Sequence, residues 1–194
     1  MDEEELRQWV RRLGEGSEEA FSVVYEETKE HVYRLVSYLT GGGLETDDIV
    51  SEVYLELIRA VETYDASRPF RPWLNGLVVR QTGSWNRKRW RKLRLLDRSR
   101  MLLDRHPAAP GTDGRLLRDE RREELRELVG RLPYKLRSVI VLKYYQECTY
   151  EEISRLLDIP VGTAKSRHHK ALAQLRRRAE LAGEIREGGL FHVH

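Results

Sequence analysis

Residues 163–170 read TAKSRHHK and carry two hydroxyls, three permanent cations and two imidazoles. Hydroxyls and basic side chains of this kind hydrogen-bond to base edges in a DNA groove, while ammonium and guanidinium groups neutralise phosphates. Thr163, Lys165, Ser166, Arg167, His169 and Lys170 are therefore candidates for nucleic-acid contact. A solvated helix face has the same composition, so both readings stand at this level. A second cluster is acidic: Asp48, Glu52 and Glu56 recur every four residues with Asp47 beside the first, which puts carboxylates along one helix face. A metal-dependent enzyme would need a histidine or a further acid placed to complete an open site, and none is spaced to do so. His168-His169 and His192-x-His194 could bind a metal, but helix packing and an exposed tail account for them better. No catalytic group, metal site or cofactor is expected. A third cluster, RKRWRKLR at 87–94, is too dense in positive charge to be neutralised locally and points to a partner of opposite charge.

The elements that must hold the first cluster lie in TYEEISRLLDIPVGTAKSRHHKALAQLRRR, 149–178. Thr149 and Glu152 have the N-cap and N3 spacing of a capping box. Ile153, Leu156 and Leu157 give the short helix after them a buried face. Asp158-Ile159-Pro160 ends that helix, and proline suits the first turn of the next one, where a missing N–H costs little. In the second helix Val161, Ala164, His168, Ala171, Leu172 and Leu175 should face inward. Thr163, Lys165, Ser166, Arg167, His169, Lys170 and Gln174 should point away or flank that face. A capped short helix, a tight turn and a basic second helix opening on small residues together favour a helix-turn-helix.

Helical periodicity runs through almost the whole chain and no strand alternation competes with it, so the fold class is all-α. A helix over Glu3–Leu13 should end at Gly14-Glu15-Gly16, and Ser17 should cap the next, which carries Phe21, Val24, Tyr25, Val32, Leu35, Val36 and Leu39 on its apolar side to Thr40-Gly41-Gly42-Gly43. Thr46 is the expected cap of a third helix, with Ile49, Val50, Val53, Leu57, Ile58 and Val61 as its apolar stripe. Asp65–Pro72 reads as a loop, and Trp73 as the anchor of a fourth helix. Gly76 and Gly83 within that helix each cost about 1 kcal/mol relative to alanine, which points to close packing. Residues 104–114, DRHPAAPGTDG, form the clearest linker. The expected organisation is a domain over 1–100, a flexible linker over 101–118, a second domain over 119–180 and a tail over 181–194.

Charge is segregated beneath the net +3: residues 1–67 sum to −11 and residues 68–105 to +10. Such blocks suit surfaces that meet partners of opposite charge. No apolar run approaches the roughly 18 residues of a membrane helix, and the acidic N-terminus lacks the pattern of a signal peptide. With Cys148 alone, no intramolecular disulfide can form, and a cytoplasmic location is the simplest expectation.

TYEEISRLLDIPVGTAKSRHHKALAQLRR closely resembles region 4.2 of bacterial sigma factors, particularly the extracytoplasmic-function (ECF) group, and LVGRLPYKLRSVIVLKYYQECTY resembles region 4.1. AFSVVYEETKEHVYRLVSYLTG is similar to region 2.1, DDIVSEVYLELIRAVETYD to region 2.2, and PFRPWLNGLVVRQTGSWNRKRWRK to regions 2.3 and 2.4. The likeness covers roughly 18–178 in the family's order. It implies a transcription initiation factor that gives core RNA polymerase its promoter specificity. Asp47, Asp48, Glu52 and Glu56 would dock on the β′ clamp coiled coil, with the β flap as a further polymerase contact. Arg68, Arg71, Arg80, Ser84, Trp85, Arg87 and Lys88 would meet the −10 element, the loop Asp65–Pro72 holding a flipped base. Thr163, Lys165, Ser166, Arg167, His169 and Lys170 would read the −35 element. An anti-sigma partner is implied as well. The family usually shows Arg-Asn in mid-helix and Asp four residues later; the aligned positions here are Val79, Arg80 and Ser84. A helix-turn-helix regulator acting without core polymerase is the competing reading, and the acidic helix argues against it.

Overall fold

Glu3, Glu4 and Glu5 crowd the first turn of helix α1 (Glu3–Gly14), where they complement the helix dipole, and the carboxylate of Asp2 accepts from the N–H of Glu5 at 2.8 Å. The computed structural model describes residues 1–42, 45–97 and 125–181. Ser17 caps α2 (Glu18–Thr40) through Ala20 at 3.2 Å, and the helix stops at Gly41 in the left-handed region, a φ of 82° that a side chain would strain. α3 (Thr46–Ala60) follows and runs into a 3-10 turn, Val61–Thr63. α4 spans Phe70–Asp97. The later helices are α5 (125–130), α6 (Tyr134–Ile140) continued by a π turn over Val141–Tyr145, α7 (Tyr150–Leu157) and α8 (Val161–Leu181). No strand occurs among the described residues.

The chain divides into two compact units, Met1–Gly111 and Thr112–His194. In the first, α2 lies against α1, α3 and α4, and the interior between them is aliphatic, with Leu6, Val24, Leu35, Leu57 and Leu74 fully enclosed. In the second, α8 packs on α6 and α7 around Leu142, Ile153, Ala164 and Ala171. Gly76 and Gly83 sit at buried positions of α4, in keeping with the close packing expected of them.

Several local expectations are corrected. Thr46 does not cap α3; it is the first helical residue and buried, and Glu45 takes the cap position without a side-chain bond. Ile58 leaves the apolar stripe for solvent at 46% exposure, while Tyr54 turns inward and shares a 2.9 Å hydrogen bond with Thr28. The reason is angular: a stripe wide enough for both residues exceeds the arc that α2 and α4 cover. α4 begins at Phe70, not Trp73, because Pro72 is tolerated in a first turn whose N–H groups have no intrahelical partner. Pro160 precedes α8 and serves it through its carbonyl, which accepts from Thr163 at 2.9 Å and Ala164 at 3.1 Å. The linker lies outside the described residues, and the tail all but wholly so.

Candidate nucleic-acid interface

The capping box at the start of α7 is complete: the Thr149 N–H donates to Glu152 Oε2 at 2.7 Å, and the Glu152 N–H donates to Thr149 Oγ1 at 3.2 Å. The Thr149 N–H and the Thr149 hydroxyl, the latter at 2.9 Å, both donate to the Glu152 carboxylate and hold its pKa below the ordinary range. α7 closes at Asp158 in the left-handed region, φ 51°, and the Ser154 hydroxyl donates to the Ile159 carbonyl across the turn. The turn thus aims α8 by bonds local in sequence. On α8, Lys165, Ser166, His169 and Lys170 are exposed, and Thr163 and Arg167 flank them half-buried. Ala164, His168, Ala171 and Leu175 are buried on the opposite face. Lys165, Arg167 and Lys170 have no carboxylate within 4 Å among the described residues, so their charges are free for an anionic partner.

Sequence reasoning placed His168 inward but missed what holds it. The residue is 7% exposed, and its two ring nitrogens meet the hydroxyls of Tyr144, at 3.0 Å to Nε2, and Tyr150, at 2.8 Å to Nδ1. Tyr144 comes from the π turn and Tyr150 from the first turn of α7, so one imidazole ties the recognition helix to two other elements. Burial, then the neighbouring His169 and Lys143, push its pKa below the ordinary histidine value. The ammonium groups of Lys143 and Lys165 stand 5.2 and 5.6 Å from the Tyr150 ring, within cation–π range. Tyr150 at the start of α7 and Tyr144 just upstream of it were the available signal.

In the first unit α4 carries Arg80, Ser84, Arg87 and Lys88 at steps that share one face. Arg80, Arg87 and Lys88 are exposed and have no carboxylate partner among the described residues. Trp85 is half-buried with the Arg89 guanidinium 5.4 Å from its ring, and Trp90 is 48% exposed. In the loop before α4, Asp65 accepts from the N–H and hydroxyl of Ser67 at 3.0 and 2.7 Å, bonds that lower its carboxyl pKa, and it lies 3.3 Å from the exposed Arg68. Arg71 is placed differently: its guanidinium lies 3.2 Å from Glu27 and 4.0 Å from Glu3, turned onto the domain. Trp73 closes an aromatic cluster with Tyr64 and Phe70, ring centres 5.0 and 5.7 Å away.

The acidic set lies where helix geometry puts it: Asp47, Asp48 and Glu52 are exposed on α3, and Glu56 is half-exposed, 3.9 Å from Arg59. Leu55 and Ile58, 53% and 46% exposed, interrupt the carboxylates with apolar surface. The face therefore offers charge and hydrophobic contact together, a pairing that a stripe drawn from periodicity alone concealed. Among the described residues, no three His, Cys, Asp or Glu side chains converge as a metal-binding group. Nor is any described helix long and apolar enough to cross a membrane.

Each of the two helical units exposes a charged helix face: a basic one on α8 in the second, and an acidic one on α3 and a basic one on α4 in the first. Residues 24–92 match the Sigma-70 region 2 family model and residues 122–175 the Sigma-70, region 4 model. The chain is 27% identical over 186 residues to the ECF RNA polymerase sigma factor SigW of Bacillus subtilis, covering 89% of this chain and 95% of that one. It is 28% identical over 173 residues to the ECF RNA polymerase sigma-E factor of Escherichia coli K12, covering 84% and 87%. In fold it resembles the sigma factor RpoE solved with the anti-sigma factor NepR from Bartonella quintana, at a TM-score of 0.64 and 19% identity over 86% of this chain and 98% of that one. CnrH, solved with the cytosolic domain of CnrY, gives a TM-score of 0.58 at 20% identity over 90% and 97%. The chain belongs to the sigma-70 family of RNA polymerase sigma factors, in its ECF group. It is a transcription initiation factor that binds core RNA polymerase and promoter DNA.

Proposed function

We propose that the two promoter elements and the polymerase are divided among three surfaces of this chain. The α3 face, with Asp47, Asp48, Glu52 and Glu56, docks on the basic β′ clamp coiled coil, and Leu55 and Ile58 add apolar contact. The exposed side of α4, with Arg80, Ser84, Trp85, Arg87 and Lys88, takes the −10 element together with Arg68 in the preceding loop. α8 reads the −35 element through Thr163, Lys165, Ser166, Arg167, His169 and Lys170. The domain division is 1–100 for polymerase and −10 binding and 119–180 for −35 binding, with 101–118 as tether and 181–194 as tail. The protein adds no catalytic step of its own, works in the cytoplasm, and is held in check by an anti-sigma partner.

The observation that carries this reading is the state of the charges. Arg80, Arg87 and Lys88 of α4 and Lys165 and Lys170 of α8 are exposed and have no carboxylate partner among the described residues, while the carboxylates of α3 stand beside exposed leucine and isoleucine. Unpaired cations on a helix face gain from phosphate contact through counterion release. Run-off transcription by the reconstituted holoenzyme over a promoter library tests the reading. Enrichment of starts downstream of two defined elements is expected, and no enrichment sinks it. Reversing Asp48 and Glu52 to lysine should abolish core binding at moderate salt while leaving the weak DNA affinity of the C-terminal unit intact.

A further inference from the structure

We infer that helix α1 belongs to the −10 reading apparatus, with Glu3 and Arg7 as positioning residues that hold the loop between Tyr64 and Phe70 in its DNA-binding shape. The inference rests on the proposed role of that loop. It starts from an unusual cap. Phe70 opens α4, and the residue before it is Pro69, which has no side chain able to accept from the first helical turn. The Phe70 N–H donates instead to Oε1 of Glu3, 67 residues away in sequence. Arg7, one turn further along α1, donates to the carbonyl of Ala66 at 3.4 Å. The loop is thus tied near both of its ends to a helix outside the residues that match region 2.

Neighbouring contacts are built on the same support. Arg71 lies between Glu3 and Glu27, at 4.0 and 3.2 Å, so a cation expected on DNA braces the start of α4. The Tyr64 hydroxyl donates to the Arg68 carbonyl, and the Asp65 turn closes on Ser67. α1 cannot drift from the domain, because Leu6, Val10 and Leu13 are buried against α2 and the 3-10 turn. Ordering a free loop on DNA would cost conformational entropy at the moment of binding, and tethers made in advance remove much of that cost.

The test is run-off transcription by holoenzyme carrying the full chain, on a template with the −35-side and −10-side segments randomised, reading base frequencies in the transcribed pool. Glu3→Ala and Arg7→Ala should flatten the −10 preference by about three- to tenfold, the span of a lost cap, with −35 preference and core affinity unchanged. Glu3→Gln keeps an acceptor oxygen and should restore most of the preference. A purely structural role would lower total output and core affinity and leave base frequencies alone; that result overturns the inference. Should Glu3→Ala fail to fold, Arg7→Ala and Glu3→Gln decide by the same readout. In a control, residues 66–68 are replaced by glycine. If the control shifts the −10 frequencies and the α1 variants do not, the inference falls and the loop's role stands. If the control shifts nothing, the loop's assignment falls and takes the inference with it.

Discussion

His168 shows how one side chain can set the condition under which the promoter reader is stable. Burial between Tyr144 and Tyr150, then the neighbouring His169 and Lys143, disfavours the charged form of its ring. An unfolded chain would protonate this residue near the ordinary value of 6.5, whereas the folded one holds the proton off to lower pH. Between those two values the unfolded state binds more protons, so stability rises with pH and is lost as pH falls below 6.5. Hydrogen-exchange protection of α8, corrected for intrinsic rates, should therefore drop between about pH 7.5 and about pH 5.5. His168→Gln should flatten that slope. An unchanged slope in the variant would mean that other groups control it. Lowered pKa values at Glu152 and Asp65 act in a separate, more acidic window.

Among the elements, α7 owes the most to local chemistry. With only eight residues it is too short to persist without its caps, and the Thr149–Glu152 box satisfies donors at its start while Asp158 turns the chain at its end. Thr149→Ala should cost about 1 kcal/mol in the opening free energy of α7, measured by hydrogen exchange, and Thr149→Ser should keep most of it. α4 is the opposite case. Its start depends on Glu3 and on the Tyr64–Phe70–Trp73 cluster, and Phe70 is fully buried. Phe70→Ala should destabilise the first unit by about 3–5 kcal/mol, seen as a lower denaturation midpoint in tryptophan fluorescence. A loss below 1 kcal/mol would show that the cluster is dispensable.

For the molecule as a whole, the segregated charge is a statement about binding, not about folding. Each cation that touches a phosphate contributes to the salt dependence of promoter binding. Lys165→Gln or Lys170→Gln should lower the slope of log K against log salt by about one, measured on holoenzyme with a selected promoter. A residue that reads bases alone should change affinity without changing that slope. The carboxylates of α3 predict the complementary behaviour toward core polymerase, whose binding should weaken as salt rises.

The all-α class, the capping box, the inward face of α8 and the outward set from Thr163 to Lys170 were all legible from the chain, because each depends on residues within a few positions of one another. So was the family, since two motif sets recur in order along one sequence. What the chain could not disclose depends on distant partners. Ile58 was assigned to the core because a stripe does not report how much of its arc neighbours cover. Thr46 had a capping residue's chemistry but lies inside a helix whose first turn is set by packing. The resemblance implies a DNA role for Arg71, and the sequence does not show that Glu3 and Glu27 come within 4.0 and 3.2 Å of it once α1 and α2 are folded beside α4. Short-range hydrogen bonds and periodicity are properties of the sequence. The angle at which helices meet, and hence which charges are already paired, is decided by tertiary packing alone.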